Sequence, residues 1–168
     1  MEYLKSFLLV ILLLIYNQNT FALDENTAAI VESAKKALAA QDHDEGDVEI
    51  SILELQRSSG NTLTLRWQYQ NKSNEVKTVL KGDPGEGTYG LARNVYIIDP
   101  QNKKKYMVVE DEKREPIAAK LGSYGKVEVE AGKTLKTWAK FPAPPIGVEK
   151  ISIYIPGAPP FEDISIKG

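Results

Sequence analysis

At Asp47 the hydrophobic period of this chain changes from 3.6 residues to two, and it stays at two to the C-terminus. That switch bounds the fold more tightly than any other feature, because a period of two places alternate side chains on opposite faces of a sheet. Val48, Ile50 and Ile52 alternate with Glu49 and Ser51; the alternation slips at Ile52-Leu53 and resumes as Leu53-Leu55, as a β-bulge would make it do. The next strand is the cleanest, with Leu63, Leu65, Trp67 and Tyr69 on one face and Thr64, Arg66, Gln68 and Gln70 on the other. A strand over 76–80 follows, and then the glycine-rich stretch 82–90. Strands over 95–98 and 106–109 flank Asp99-Pro100-Gln101-Asn102, a type I turn sequence. Val127-Val129 and Leu135-Thr137-Ala139-Phe141 flank Ala131-Gly132 as a second hairpin, and Ile151-Ile153-Ile155 and Ile164-Ile166 complete the set. About seven to nine short strands, with turn signals roughly every ten residues and no helical pattern between them, predict a mainly β, antiparallel sandwich.

The residues before Asp47 read differently. Met1 to Ala22 has a charged start, an apolar run from Phe7 to Tyr16 and the small-x-small site Thr20-Phe21-Ala22, the anatomy of a secretory signal peptide. The run falls short of the ~20 residues that span a bilayer. Residues 23–47 then divide in two. N-cap candidates at Asp24-Glu25-Asn26-Thr27 precede the stripe Ile30, Val31, Ala34, Ala37 and Leu38, which predicts one amphipathic helix. An acidic linker, Gln41 to Asp47, joins it to a β domain over 48–168. The chain contains no cysteine, so neither a disulfide framework nor a thiol anchor is available. A formal charge of −2 argues against a general nucleic-acid or anionic-membrane binder. A secreted or periplasmic location follows from the leader.

Three stretches of the C-terminal half, "VYIIDPQNKKKYMVVED", "VEAGKTLKTWAKFPAPP" and "VEKISIYIPGAPPFEDISI", resemble an immunoglobulin-like domain of secreted bacterial proteins. The resemblance covers about Asn94 to Ile166. It implies an extracytoplasmic β-sandwich without assigned biochemical activity, and it supplies no catalytic residues. Relatives often carry a peptidoglycan-binding module after this domain; no such module follows within the chain to Gly168, so attachment to the wall is not carried over.

Gly85-Glu86-Gly87-Thr88-Tyr89-Gly90 matches G-x-G-x-x-G, but a strand is expected after it, where a dinucleotide site needs a helix N-terminus. A flexible loop between sheets is the simpler reading. Asp42, Asp44, Glu45 and Asp47 surround His43, the sole histidine, and offer oxygen ligands for a metal ion such as Ca²⁺. The spacing misses the EF-hand pattern, since glycine falls at position 5 and Leu53 at position 12, so a solvated linker is simpler again. A single imidazole in a charged linker is a poor base for nucleophilic catalysis, and no Gly-x-Ser-x-Gly elbow exists. Asn71-Lys72-Ser73 matches the N-glycosylation acceptor pattern.

The remaining candidate is an aromatic surface. Period two places Lys136, Trp138 and Lys140 on the face opposite Leu135, Thr137, Ala139 and Phe141. If strand 135–141 pairs with strand 151–155, Tyr154 joins them, and aromatics flanked by lysine stems would form a patch for protein or glycan contact. Cover by the N-terminal helix is the competing expectation for Trp138. The chain therefore reads as a non-enzymatic interaction module of the bacterial cell envelope, without cofactor, binding through Trp138, Tyr154, Lys136 and Lys140. The alternative is a metal- or small-ligand-binding protein using the acidic linker or the glycine loop.

Overall fold

A computed structural model describes residues 37–168. The expected leader and most of the expected helical stripe, Ile30, Val31 and Ala34, lie outside the described residues. Ten strands carry the described fold, all paired antiparallel within their sheets. Four of them, β1 (Ala39–Asp42), β2 (Val48–Ser58), β3 (Thr62–Asn71) and β8 (Thr134–Pro142), form sheet I in the order β1-β2-β3-β8. Sheet II has the order β10-β9-β5-β6, from β5 (Tyr96–Asp99), β6 (Lys104–Met107), β9 (Lys150–Tyr154) and β10 (Phe161–Ser165). A two-stranded ribbon pairs β4 (Lys77–Lys81) with β7 (Lys126–Val129).

The alternation read from the sequence is what buries the core. Leu63, Leu65, Trp67 and Tyr69 of β3 are all at most 1% exposed. They share one cluster with Ile97 of β5, Ile151 and Ile153 of β9, Phe161 of β10 and Val79, Val127 and Val129 of the ribbon. At ~25 cal/mol per Å² of apolar surface, side chains buried this completely contribute about 1.5–3 kcal/mol each before chain entropy is counted. The slip at Ile52-Leu53 is a bulge: Ile52 stands opposite Trp67 and Glu54 opposite Arg66, leaving Leu53 as the extra residue. Leu55 then returns to the core with no exposed surface.

Three expectations are corrected. Ala39 to Asp42 continue no helix; they form an edge strand whose Ala39 faces Ile52 and whose Asp42 faces Glu49, and Ala37 and Leu38 just before them are not helical either. Alanine favours helix only weakly over other states, and pairing with β2 overrides it. The acidic linker is therefore the turn of a β1–β2 hairpin. Secondly, Ala131-Gly132 is not a hairpin: β7 pairs with β4, and β8 crosses to pair with β3, so the turn is a corner between sheets. Thirdly, the glycine loop is folded. Asp83 caps a 3₁₀ turn (Pro84–Tyr89) by accepting from Gly85 N at 2.7 Å, and a short helix, α1 (Gly90–Asn94), follows directly. Among the described residues, no helix is long and apolar enough to cross a membrane.

Candidate functional site

The inward residues Val95 and Ile97 of the β5 region leave Tyr96 and Ile98 on the outer face of sheet II. Register then fixes their neighbours. Tyr96 stands between Met107 of β6 and Tyr154 of β9, and Ile98 stands between Lys105 and Ser152. The Tyr96 and Tyr154 rings stack with centroids 4.6 Å apart and planes 12° from parallel. From the other flanking strand, Lys105 Nζ sits 3.6 Å from the Tyr96 centroid. One ring thus takes a cation on one face and an aromatic on the other, two contacts that the ring quadrupole favours. Neither tyrosine hydroxyl has a protein partner among the described residues, and neither belongs to the buried, unpartnered groups, as Tyr69 Oη does.

Met107, 45% exposed, ends this row and also lines a cleft of about 430 Å³ with Ala92, Arg93, Val108, Glu110 and Pro116. Arg93 is held across the cleft wall by Glu110 at 2.9 Å and by the Arg114 carbonyl at 3.2 Å. The outer face of sheet II therefore offers a row Tyr154-Tyr96-Met107 that leads from a flat aromatic surface into a concave one.

Of the four residues expected to form a patch, only Tyr154 belongs to this surface. Trp138 does point outward and is half-buried, but on sheet I, with Arg66 opposite. Because β8 pairs with β3 and β9 with β5 and β10, Trp138, Lys136 and Lys140 lie on a different sheet from Tyr154. The free edge of β8 is occupied by residues 117–119, where Ala119 N donates to the Trp138 carbonyl and Lys140 N to Ile117. Tyr96 and Met107 carry no motif in the sequence, and Lys105 reads there as a solvated loop charge answered by Glu110-Asp111-Glu112. The available signal was the parity of Val95 and Ile97, which places Tyr96 outward.

The acidic turn is organised around its histidine. His43 is 5% exposed, its Nε2 lies 3.2 Å from the Val79 carbonyl and its Nδ1 accepts from Glu45 N at 3.0 Å. Nδ1 also lies 2.9 Å from Asp44 Oδ1, so both ring nitrogens are engaged. The ring lies against Gly157, where a Cβ would come within 2.2 Å of Nε2. His43 therefore locks the β1–β2 turn onto β4 and the β9–β10 turn, and Asp44 N donating to the Gly157 carbonyl at 2.8 Å adds to the lock. Asp44 and Asp47 are largely exposed, at 76% and 70% for their side chains, with Asp44 against His43 and Asp47 4.0 Å from Lys77 Nζ, and Asp42 faces Glu49 across the hairpin. Among the described residues, no three His, Asp or Glu side chains converge on a metal position, Asp42, Asp44, Glu45 and Asp47 included.

The glycine loop and the acceptor pattern at Asn71 both serve packing. A Cβ on Gly125 would lie 2.3 Å from the Asp83 carbonyl, so the 122–126 turn can approach the loop only with glycine there. The amides that would cradle a phosphate are spent internally: Gly82 N on Gly125 O, Gly125 N on Gly87 O, and Glu86 N on Asp83 O. Asn71 is 1% exposed; its Nδ2 reaches the Glu75, Val129 and Glu130 carbonyls, and its Oδ1 accepts from Ser73 N and Oγ. An amide held this way clamps β3 to the ribbon and is not presented for glycosylation.

No family model, no curated protein and no solved structure matches this chain.

Proposed function

We propose that the chain is a non-enzymatic binding module of the bacterial cell envelope, built as an immunoglobulin-like sandwich and acting outside the cytoplasm. Its contact surface is the outer face of sheet II. The observation that carries this reading is the Lys105-Tyr96-Tyr154 stack running through Met107 into the cleft. Stiff aromatics on a rigid sheet bury area on contact at little entropic cost, which is why such residues anchor interfaces. The signal-peptide pattern of residues 1–22 and the C-terminal motif resemblance support the location. The only histidine has both ring nitrogens engaged inside the fold, which supports a binding role over acid–base chemistry.

The test is a pull-down from envelope extract with the full chain beside Tyr154→Ala, Met107→Glu and Trp138→Ala, each checked for folding by circular dichroism and melting. Loss of the retained component with Tyr154→Ala and Met107→Glu, but not with Trp138→Ala, supports the assignment. Retention that depends on Trp138 alone moves the contact surface to sheet I.

A further inference from the structure

The outer face of sheet II also carries unneutralised positive charge. Lys103, Lys104, Lys105 and Lys150 are all exposed. Among the described residues none of the four is ion-paired; other exposed cations, Lys136 on sheet I among them, are unpaired too, but Lys105 and Lys150 flank the stacked tyrosines. Asp99, the acid nearest in sequence to the lysine run, is fully buried, and its two oxygens accept from Asn102 N and Nδ2. Lys105 of β6 lies on this face with Met107, Lys150 of β9 lies on it with Ser152 and Tyr154, and Lys103 sits in the turn just before β6. Lys150, Ser152 and Tyr154 then share the outer face of β9 over roughly 13 Å, two residues apart each.

Resting on the reading above, we infer that this face binds an acidic glycan, with sugar hydroxyls meeting the Tyr96 and Tyr154 hydroxyls and the sugar's acidic groups meeting Lys103, Lys105 and Lys150. Three observations favour that chemistry. Two solvent-reaching phenol hydroxyls without protein partners, beside Ser152, suit a hydroxyl-rich ligand. The Tyr154 face turned away from Tyr96 leaves apolar surface for sugar C–H groups. The positive charge lies at one end of the face, while β10 at its margin presents exposed Glu162 and Asp163. A linear ligand can follow β5 and β9 and avoid those carboxylates, but a planar anionic bilayer must confront them. A single nucleic-acid strand needs several open ring faces for its bases, and both faces of Tyr96 are occupied.

The experiment is calorimetric titration of the full chain with octagalacturonate, and with maltooctaose, octathymidylate and vesicles of phosphatidylcholine mixed with phosphatidylglycerol as comparisons. The acidic octasaccharide should bind about tenfold or more tighter than maltooctaose at low salt, and the difference should shrink as salt is raised. The triple substitution K103Q/K105Q/K150Q removes three exposed charges, and with them the Lys105–Tyr96 contact, and should abolish that difference while circular dichroism shows the fold retained. Tyr154→Ala should weaken both sugars, while Tyr154→Phe should weaken them less. Failure of the acidic sugar to bind, binding indifferent to the triple substitution, or preference for octathymidylate or the vesicles would overturn the proposal. Sugar binding that is Tyr154-dependent but indifferent to charge would overturn the acidic assignment and leave the sheet II surface standing. Sugar binding indifferent to Tyr154 would remove that surface as well.

Discussion

Gly157→Ala tests how the N-terminal hairpin is locked to the rest of the domain. Gly157 has φ +79°, and a Cβ there would stand 2.2 Å from His43 Nε2, 2.4 Å from Cε1 and 2.8 Å from Cδ2. The backbone conformation alone costs a non-glycine residue about 1–2 kcal/mol. Forcing a methyl group into an occupied position adds about 1–3 kcal/mol, since the His43 ring is wedged between Val79 and Tyr69 and cannot swing away without losing its hydrogen bonds. The expected loss is therefore about 2–5 kcal/mol, a large share of the stability of a domain this size. Gly60→Ala is the control: its φ is +74°, but nothing lies within 4 Å of the added Cβ, so only the backbone cost applies. The assay is urea unfolding of the full chain, read from the midpoint at constant slope. His43→Ala in the Gly157→Ala background removes the clash, so the double variant should be more stable than the sum of the single losses by about 1–3 kcal/mol. Additive losses, or equal losses at Gly157 and Gly60, would refute the wedge.

Asn71→Ala should cost about 2 kcal/mol by leaving the Glu75, Val129 and Glu130 carbonyls without their donor, and Asn71→Asp more, since it points a further acceptor at them; denaturant midpoints give the order. Burial pushes the Tyr69 phenol above its ordinary value, offset in part by the neighbouring Trp67 indole. An acid with a raised folded-state pKa keeps its proton after the unfolded chain has lost it. The wild type should therefore lose about 1.4 kcal/mol per pH unit relative to Tyr69→Phe once the pH passes ~10, and none below it. Parallel stability profiles for the two chains above that pH would contradict this. The Tyr96–Tyr154 stack should show a coupling of about 0.5–1.5 kcal/mol in a double-mutant cycle to alanine, and a coupling of zero would deny the contact.

Local pattern carried much of this fold. The period of β3, the extra residue at Leu53 and the turn closed by Asp99 and Asn102 are written in neighbouring residues, because each rests on side-chain alternation or a short-range hydrogen bond. Partner choice is not local. Trp138 shares the face of Lys136 and Lys140 that period two assigns it, yet the strand it lies on pairs with β3, more than sixty residues away in sequence, and not with its chain neighbours. That one fact separates it from Tyr154. His43 was hidden for a different reason: hydropathy treats a histidine among four carboxylates as solvated, whereas a ring that satisfies both nitrogens is stable inside. The strand at Ala39–Asp42 was masked by alanines that complete a helical stripe, and only its pairing with β2 reveals it.

The claim that sheet II carries the contact surface is tested most directly by site-specific photo-crosslinking in envelope extract. A photoreactive residue at Ser152 sits on the outer face of β9 beside Ile98, and one at Arg66 sits on the exposed face of β3 in sheet I. Crosslinks from Ser152 that vanish with Tyr154→Ala, with none from Arg66, are the predicted result. Crosslinks from Arg66 that survive Tyr154→Ala, with none from Ser152, would contradict the account.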